Sequence, residues 1–203
     1  MTDEVLDHPA LQEPMLIRIL AFLLETAFFL LIAAALLRAW MNWLRISMTG
    51  QPGRFVMALT DWLVKPLRRS LPKTVTRLRL DWASVLAAIL MALAYALLAW
   101  LLLGAMTGAF DGGLDAGPAI FLTLPLIALK FFLRVVLQTL FMLVLGFAIL
   151  SWVQPGSFVY GLLGRLTEPL LAPLRRVVPA IGGVDLSALV LLLALQIGLM
   201  VLT

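Results

Sequence analysis

At 203 residues, 63% of them hydrophobic and 13% charged, the chain is far more apolar than a soluble domain, whose apolar share is about half, and it reads as a membrane protein. It has no cysteine, which excludes a disulfide and a thiolate metal site, and its one histidine, His8, lies in a polar leader. The formal charge of +4 is unevenly spread: residues 1–14 hold Asp3, Glu4, Asp7 and Glu13 and no lysine or arginine. That is the opposite of a signal peptide's basic start, so no cleaved leader is expected and residues 1–14 read as an acidic external leader.

Residues 15–43 form an apolar stretch broken only by Arg18, Glu25 and Arg38, long enough to cross a bilayer, and they give the first predicted span. Arg38, Trp40, Trp43 and Arg45 at its end read as an interfacial anchor, with indole rings at headgroup level and guanidinium groups snorkelling outward. From Arg45 to Asp81 eight bases face two acids, Asp61 and Asp81, which makes this loop cytoplasmic by the positive-inside rule. Within it Phe55, Leu59, Leu63 and Leu67 recur at helical spacing beside Arg54, Asp61, Lys65 and Arg68, so residues 53–72 form an amphipathic interfacial module. Thr60 is its predicted N-cap, and Pro66 is expected to kink or end the helix.

The uncharged residues 82–106 form the second predicted span, with Asp81 placed where a carboxylate meets a helix's positive end. Residues 107–118 are glycine-rich, with Asp111 and Asp115 and no base, and read as an external loop. Residues 119–153 would make a helix of roughly 52 Å, more than the ~30 Å hydrocarbon core. A break at Pro125 is therefore expected, leaving residues 119–128 interfacial or tilted and about 129–152 as the third span, with Lys130, Arg134 and Gln138 in it. A second interfacial module at 155–179 precedes a short uncharged fourth span at 186–202.

The two modules repeat one plan. Residues 60–72 align without a gap on residues 167–179, and Thr60, Leu63, Pro66, Leu67, Arg68, Arg69 and Pro72 are identical to Thr167, Leu170, Pro173, Leu174, Arg175, Arg176 and Pro179; Asp81 answers Asp185 after a small drift in register. The expected fold is an all-α membrane protein of two tandem parallel repeats, residues 15–106 and 119–203. Each repeat is a pair of transmembrane helices joined by a cytoplasmic amphipathic interfacial module, which makes four transmembrane helices with both termini external.

The T-[DE]-x-L-x-x-P-L-R-R-x-x-P core, the LSW before the second copy and the PAIGGVDLSALVLLLALQI ending resemble the YggT family, YlmG in Gram-positive bacteria. In the first copy residues 73–79, KTVTRLR, stand where the family's proline-glycine residues precede the aspartate. The resemblance implies an integral protein of the bacterial inner membrane linked to cell division, osmotic tolerance or assembly of other membrane complexes, and implies no known reaction.

Candidate sites follow from charge placement. The pairs Arg68-Arg69 and Arg175-Arg176 suit anionic lipid headgroups or a partner protein, or serve as topological anchors alone. Asp81 and Asp185 are candidates to pair with these arginines. Thr60, Pro66, Thr167 and Pro173 complete the repeated motif. Glu25 is an ionisable group inside a span and so a functional candidate; its depth, 18 residues from Trp43, matches that of Arg134, 18 residues from Trp152, which suggests an intramembrane pair, with Lys130 as alternate partner. An ion or proton pathway and interfacial exposure stay open for Glu25. No catalytic motif, cofactor or metal site is read, and bases interleaved with aliphatics disfavour nucleic acid. The expected partners are membrane lipids, other membrane or division proteins and a second copy of the chain. A membrane scaffold is favoured over a small-ion channel because the second and fourth spans offer only Ser84, Tyr95, Ser187 and Gln196 as polar lining.

Overall fold

A computed structural model describes residues 9–47, 50, 52–71, 81–107, 120–176 and 186–202, those at 9–14, 103 and 105–107 by backbone alone, and among the described residues there are six α-helices. They are α1 (Pro9–Trp43), α2 (Gly53–Ser70), α3 (Trp82–Thr107), α4 (Ile120–Val153), α5 (Phe158–Arg175) and α6 (Leu186–Leu202). Among the described residues there is no strand. Met15–Trp43 of α1, Trp82–Leu102 of α3 and Ile120–Val153 of α4 are each long and apolar enough to cross a membrane. Helix α6 is equally apolar but has 17 residues, about 25 Å at 1.5 Å each.

Small residues set how closely these helices approach. Ser84, Ala88, Ala92 and Ala96 recur every four residues along α3 and are all buried, the three alanines against Ile32 and Ala35 of α1 and Phe131 and Val135 of α4. With lipid as solvent there is little hydrophobic force between spans, so close van der Waals packing of such a seam does the holding. The larger apolar side chains point outward instead: Leu93, Leu97 and Leu101 of α3 are exposed, as are Leu193, Ile197 and Met200 of α6. Helix α6 lies on α4, where a Cβ on Gly198 would stand 3.1 Å from Leu137 Cδ1. A separate cluster of Met41, Ile46, Leu162 and Leu166 joins the end of α1 to α5.

Three local expectations are corrected. Thr60 does not cap α2: the helix starts at Gly53, and Thr60 is buried inside it with its hydroxyl donating to the Val56 carbonyl at 2.7 Å. A threonine inside a helix can satisfy its hydroxyl on the preceding turn, and burial of this face selects that use over capping. Pro66 does not end α2, which continues to Ser70. The missing N–H forfeits one backbone bond, but Val64, Leu67 and Leu71 packed on Ala83 and Ala87 hold the segment helical on both sides of it. Pro125 does not break α4 either, because it falls in the second turn, and the packing of Ala128, Phe131 and Val135 carries the helix onward. A 34-residue helix, about 51 Å, then exceeds the hydrocarbon thickness by tilting or by emerging from it.

Candidate functional site: a buried arginine clamp and two arginine pairs

Where α1 ends, α2 crosses and α3 begins, five charged side chains meet. Arg38, five residues before the end of α1, is buried; its Nη1 donates to Thr60 Oγ1 at 2.8 Å and to Asp61 Oδ1 at 2.8 Å, and its Nε lies 3.8 Å from Asp81 Oδ2. Asp81 precedes α3, its carbonyl accepts the N–H groups of Ser84 and Val85, and its Oδ2 accepts from Arg68 Nη2 at 2.5 Å and from Ser84 Oγ at 2.9 Å. Lys65 closes the outer side, 2.8 Å from Asp61 Oδ2. Buried charge is tolerable only when paired and hydrogen-bonded, and here every buried side-chain polar atom among the described residues has a partner. The hydrogen bond from Lys65, helped by Arg38 and opposed by burial, holds the Asp61 carboxyl below its ordinary value of 3.8.

This clamp corrects the expectation for Arg38, which does not snorkel outward: its side chain is 7% exposed. A guanidinium can satisfy several acceptors at once, and the folded chain puts a hydroxyl and two carboxylates around it. Trp40 is likewise not a free interfacial ring; its Nε1 donates to the Leu166 carbonyl at 3.0 Å, tying α1 to α5, while Trp43 and Arg45 are exposed. The signal that could have exposed the clamp is that Asp61 and Asp81 are the two acids in an otherwise basic loop, with Arg38 the base nearest the apolar side.

The two arginine pairs sit at the C-terminal ends of α2 and α5, where cations complement the helix dipole. Arg68 is bound to Asp81, and Arg175 Nη1 bonds Glu168 Oε2 at 2.9 Å. Arg69 and Arg176 are exposed. Thr167 is buried within α5 and bonds the Leu163 carbonyl at 2.8 Å, the same use of a hydroxyl as Thr60 in α2. Pro173, like Pro66, lies inside its helix. Asp185 lies outside the described residues.

Farther along the spans, Arg134 Nη1 is 3.1 Å from Glu25 Oε1, which brings α4 to α1 through charge. The two side chains are 42% and 40% exposed and open into a cavity of about 440 Å³ lined by Phe22, Thr26, Phe29, Phe131, Val135 and Gln138. The pair is thus less enclosed than the Arg38 clamp, whose arginine is 7% exposed. Single changes Glu25→Arg or Arg134→Glu should each lower the melting temperature in detergent modestly, and the double swap should recover most of that loss; strictly additive losses would mean that the two do not interact. A second cavity of about 330 Å³, almost wholly apolar, opens between α1, α3 and α4 beside Trp40, Trp43 and Leu143. Among the described residues no group of three or more histidine, cysteine or acidic side chains could hold a metal ion.

The comparisons with known proteins agree with one another. The sequence profile described as CCB3/YggT matches residues 17–102 and again residues 126–203. An uncharacterized Vibrio alginolyticus protein from the region 3′ of proC is 37% identical over 87% of this chain and 89% of its own length. The uncharacterized protein YggT of Escherichia coli K12 is 32% identical, covering 88% of this chain and 86% of its own, and an uncharacterized Pseudomonas aeruginosa protein is 34% identical over 87% and 84%. No solved structure matches the chain. With helices apolar enough to cross a membrane and a family profile met along most of its length, the chain belongs to the CCB3/YggT family.

Proposed function

We propose that this chain is a non-enzymatic scaffold or assembly factor of the bacterial inner membrane, serving cell division, osmotic tolerance or the biogenesis of other membrane complexes. In this reading α1, α3, α4 and α6 cross the bilayer as two parallel repeats with both termini external, and α2 and α5 lie at the cytoplasmic surface, where they meet anionic lipid and partner proteins. The observation that carries it is how the polar groups are used. Arg38, Asp61, Asp81 and Ser84 are consumed in holding α2 to the spans, whereas exposed bases and exposed aromatic rings such as Phe55 and Trp62 remain on the outer side of that helix. An interfacial helix fixed to its spans and presenting such a face suits docking.

The alternative, a small-ion channel for potassium or protons, draws on the open Glu25–Arg134 cavity. One preparation separates the two. Purified protein in liposomes should pass neither ion above the empty-vesicle leak, and flux abolished by Glu25→Gln would replace the scaffold with a pore. In intact cells, an impermeant maleimide should label Gly113→Cys and spare Thr74→Cys; the reverse pattern would invert the orientation.

A further inference from the structure

Resting on that docking reading, we infer that each Pro-Leu-Arg-Arg motif divides its labour: the first arginine is engaged by a carboxylate of its own chain, and the second, Arg69 or Arg176, binds the phosphate of an anionic phospholipid. The motif occurs twice, and in both copies the first arginine is taken up by a carboxylate of the chain, across to the start of α3 in the first copy and within α5 itself in the second. Arg68 is turned back onto Asp81, which is itself buried, and Arg175 is turned back onto Glu168. Arg69 and Arg176, one position on and about 100° around the helix, are exposed and make no ion pair among the described residues.

What shares a face with the second arginine points to the ligand. Phe55, Trp62 and Arg69 are spaced by seven, so on a helix they drift only about 20° per step and form one stripe along α2. Phe55 and Trp62 are each 60% exposed. On α5, Phe158 is 75% exposed, Arg165 follows it by seven, and Arg176 follows it by eighteen, five full turns; Arg176 keeps helical backbone at φ −73° and ψ −26°. An exposed ring settles at the boundary between acyl chains and headgroups, so an arginine on the same stripe is carried to the depth of the phosphates. Its guanidinium fork matches a phosphate with two parallel hydrogen bonds. Because α2 packs on α1 and α3, both apolar enough to cross a membrane, the phosphate within reach is that of the surrounding bilayer.

The test uses full-length protein in phosphatidylcholine liposomes with trace spin-labelled phosphatidylglycerol or phosphatidylcholine, reading the motionally restricted fraction of each. Wild-type protein should prefer phosphatidylglycerol. Arg69→Gln with Arg176→Gln should lose most of that preference, roughly fivefold for each arginine, with an unchanged melting temperature. Lysine at both positions should restore part of it. Arg68→Gln with Arg175→Gln should keep the preference and melt earlier. If the Arg69/Arg176 variant keeps the preference, or the Arg68/Arg175 variant loses it equally while still folded, the division of labour is wrong though lipid docking stands. If the wild-type protein shows no preference, the lipid-docking reading itself fails.

Discussion

Arg38→Ala should be among the most damaging single changes in the chain, costing about 3–5 kcal/mol, because it leaves Asp61, Thr60 and part of the Asp81 carboxylate without their buried partner. The loss should be local first. Amide exchange across α2, residues 53–70, should accelerate before that of α3, since α2 is held by this clamp and by the Val64 cluster, whereas α3 is buried along its whole alanine seam. Arg38→Lys should recover little, because a single ammonium cannot reach a hydroxyl and two carboxylates at once. Adding Asp61→Asn to Arg38→Ala should recover part of the stability by removing the stranded charge. Acid offers an independent check. Since Asp61 titrates lower in the folded chain, its contribution is present above the ordinary value of 3.8 and is lost as pH falls through the lowered one, so α2 should loosen below about pH 4. Unchanged exchange in Arg38→Ala would show that the clamp does not hold α2.

The second large effect is expected at Ala92, which is 1% exposed in the seam between α1 and α4. Ala92→Leu forces extra methyl groups between backbones that approach closely because the seam is small, and overpacking of this kind costs about 1–3 kcal/mol. Leu93→Ala, one residue away on the exposed side, should change little, because that side chain already meets solvent or lipid. Melting of both variants in one detergent decides the matter: equal melting temperatures would mean that the seam does not set the packing. The contrast isolates position from residue type, since both changes alter an apolar side chain on the same turn of α3.

Several elements were plain in the linear chain because they depend on local chemistry alone. Uninterrupted apolar length makes α3 a candidate span whatever it packs against, since a helix satisfies its backbone hydrogen bonds within the one segment. The four-residue recurrence of apolar side chains between bases predicts a helix where α2 lies, although the face it buries is that of Val56, Thr60 and Val64 and not that of Phe55, and the Pro-Leu-Arg-Arg motif recurs at the ends of α2 and α5. Pairing of Asp81 with an arginine of the motif and of Glu25 with Arg134 could be read as possibilities, because opposite charges at matching depth have few other ways to be satisfied.

Other features belong to the tertiary structure. Proline rules place breaks at Pro66 and Pro125 because they weigh one lost hydrogen bond, yet both helices run through, since the packing of Val64 in α2 and of Phe131 and Val135 in α4 outweighs that local cost. Arg38 beside Trp40 and Trp43 looks like a snorkelling anchor when only its neighbours in sequence are considered. Its fate depends on Thr60, Asp61 and Asp81, between 22 and 43 residues farther on, and only the crossing of α2 beneath α1 and α3 brings them to it. Trp40 is claimed in the same way by Leu166, 126 residues distant. Composition and spacing determined which segments are helices and which of them suit a membrane. The close approach of helices far apart in the chain decided which charges are structural and which are left outward, because a charge is locked inside only where folding delivers its partners.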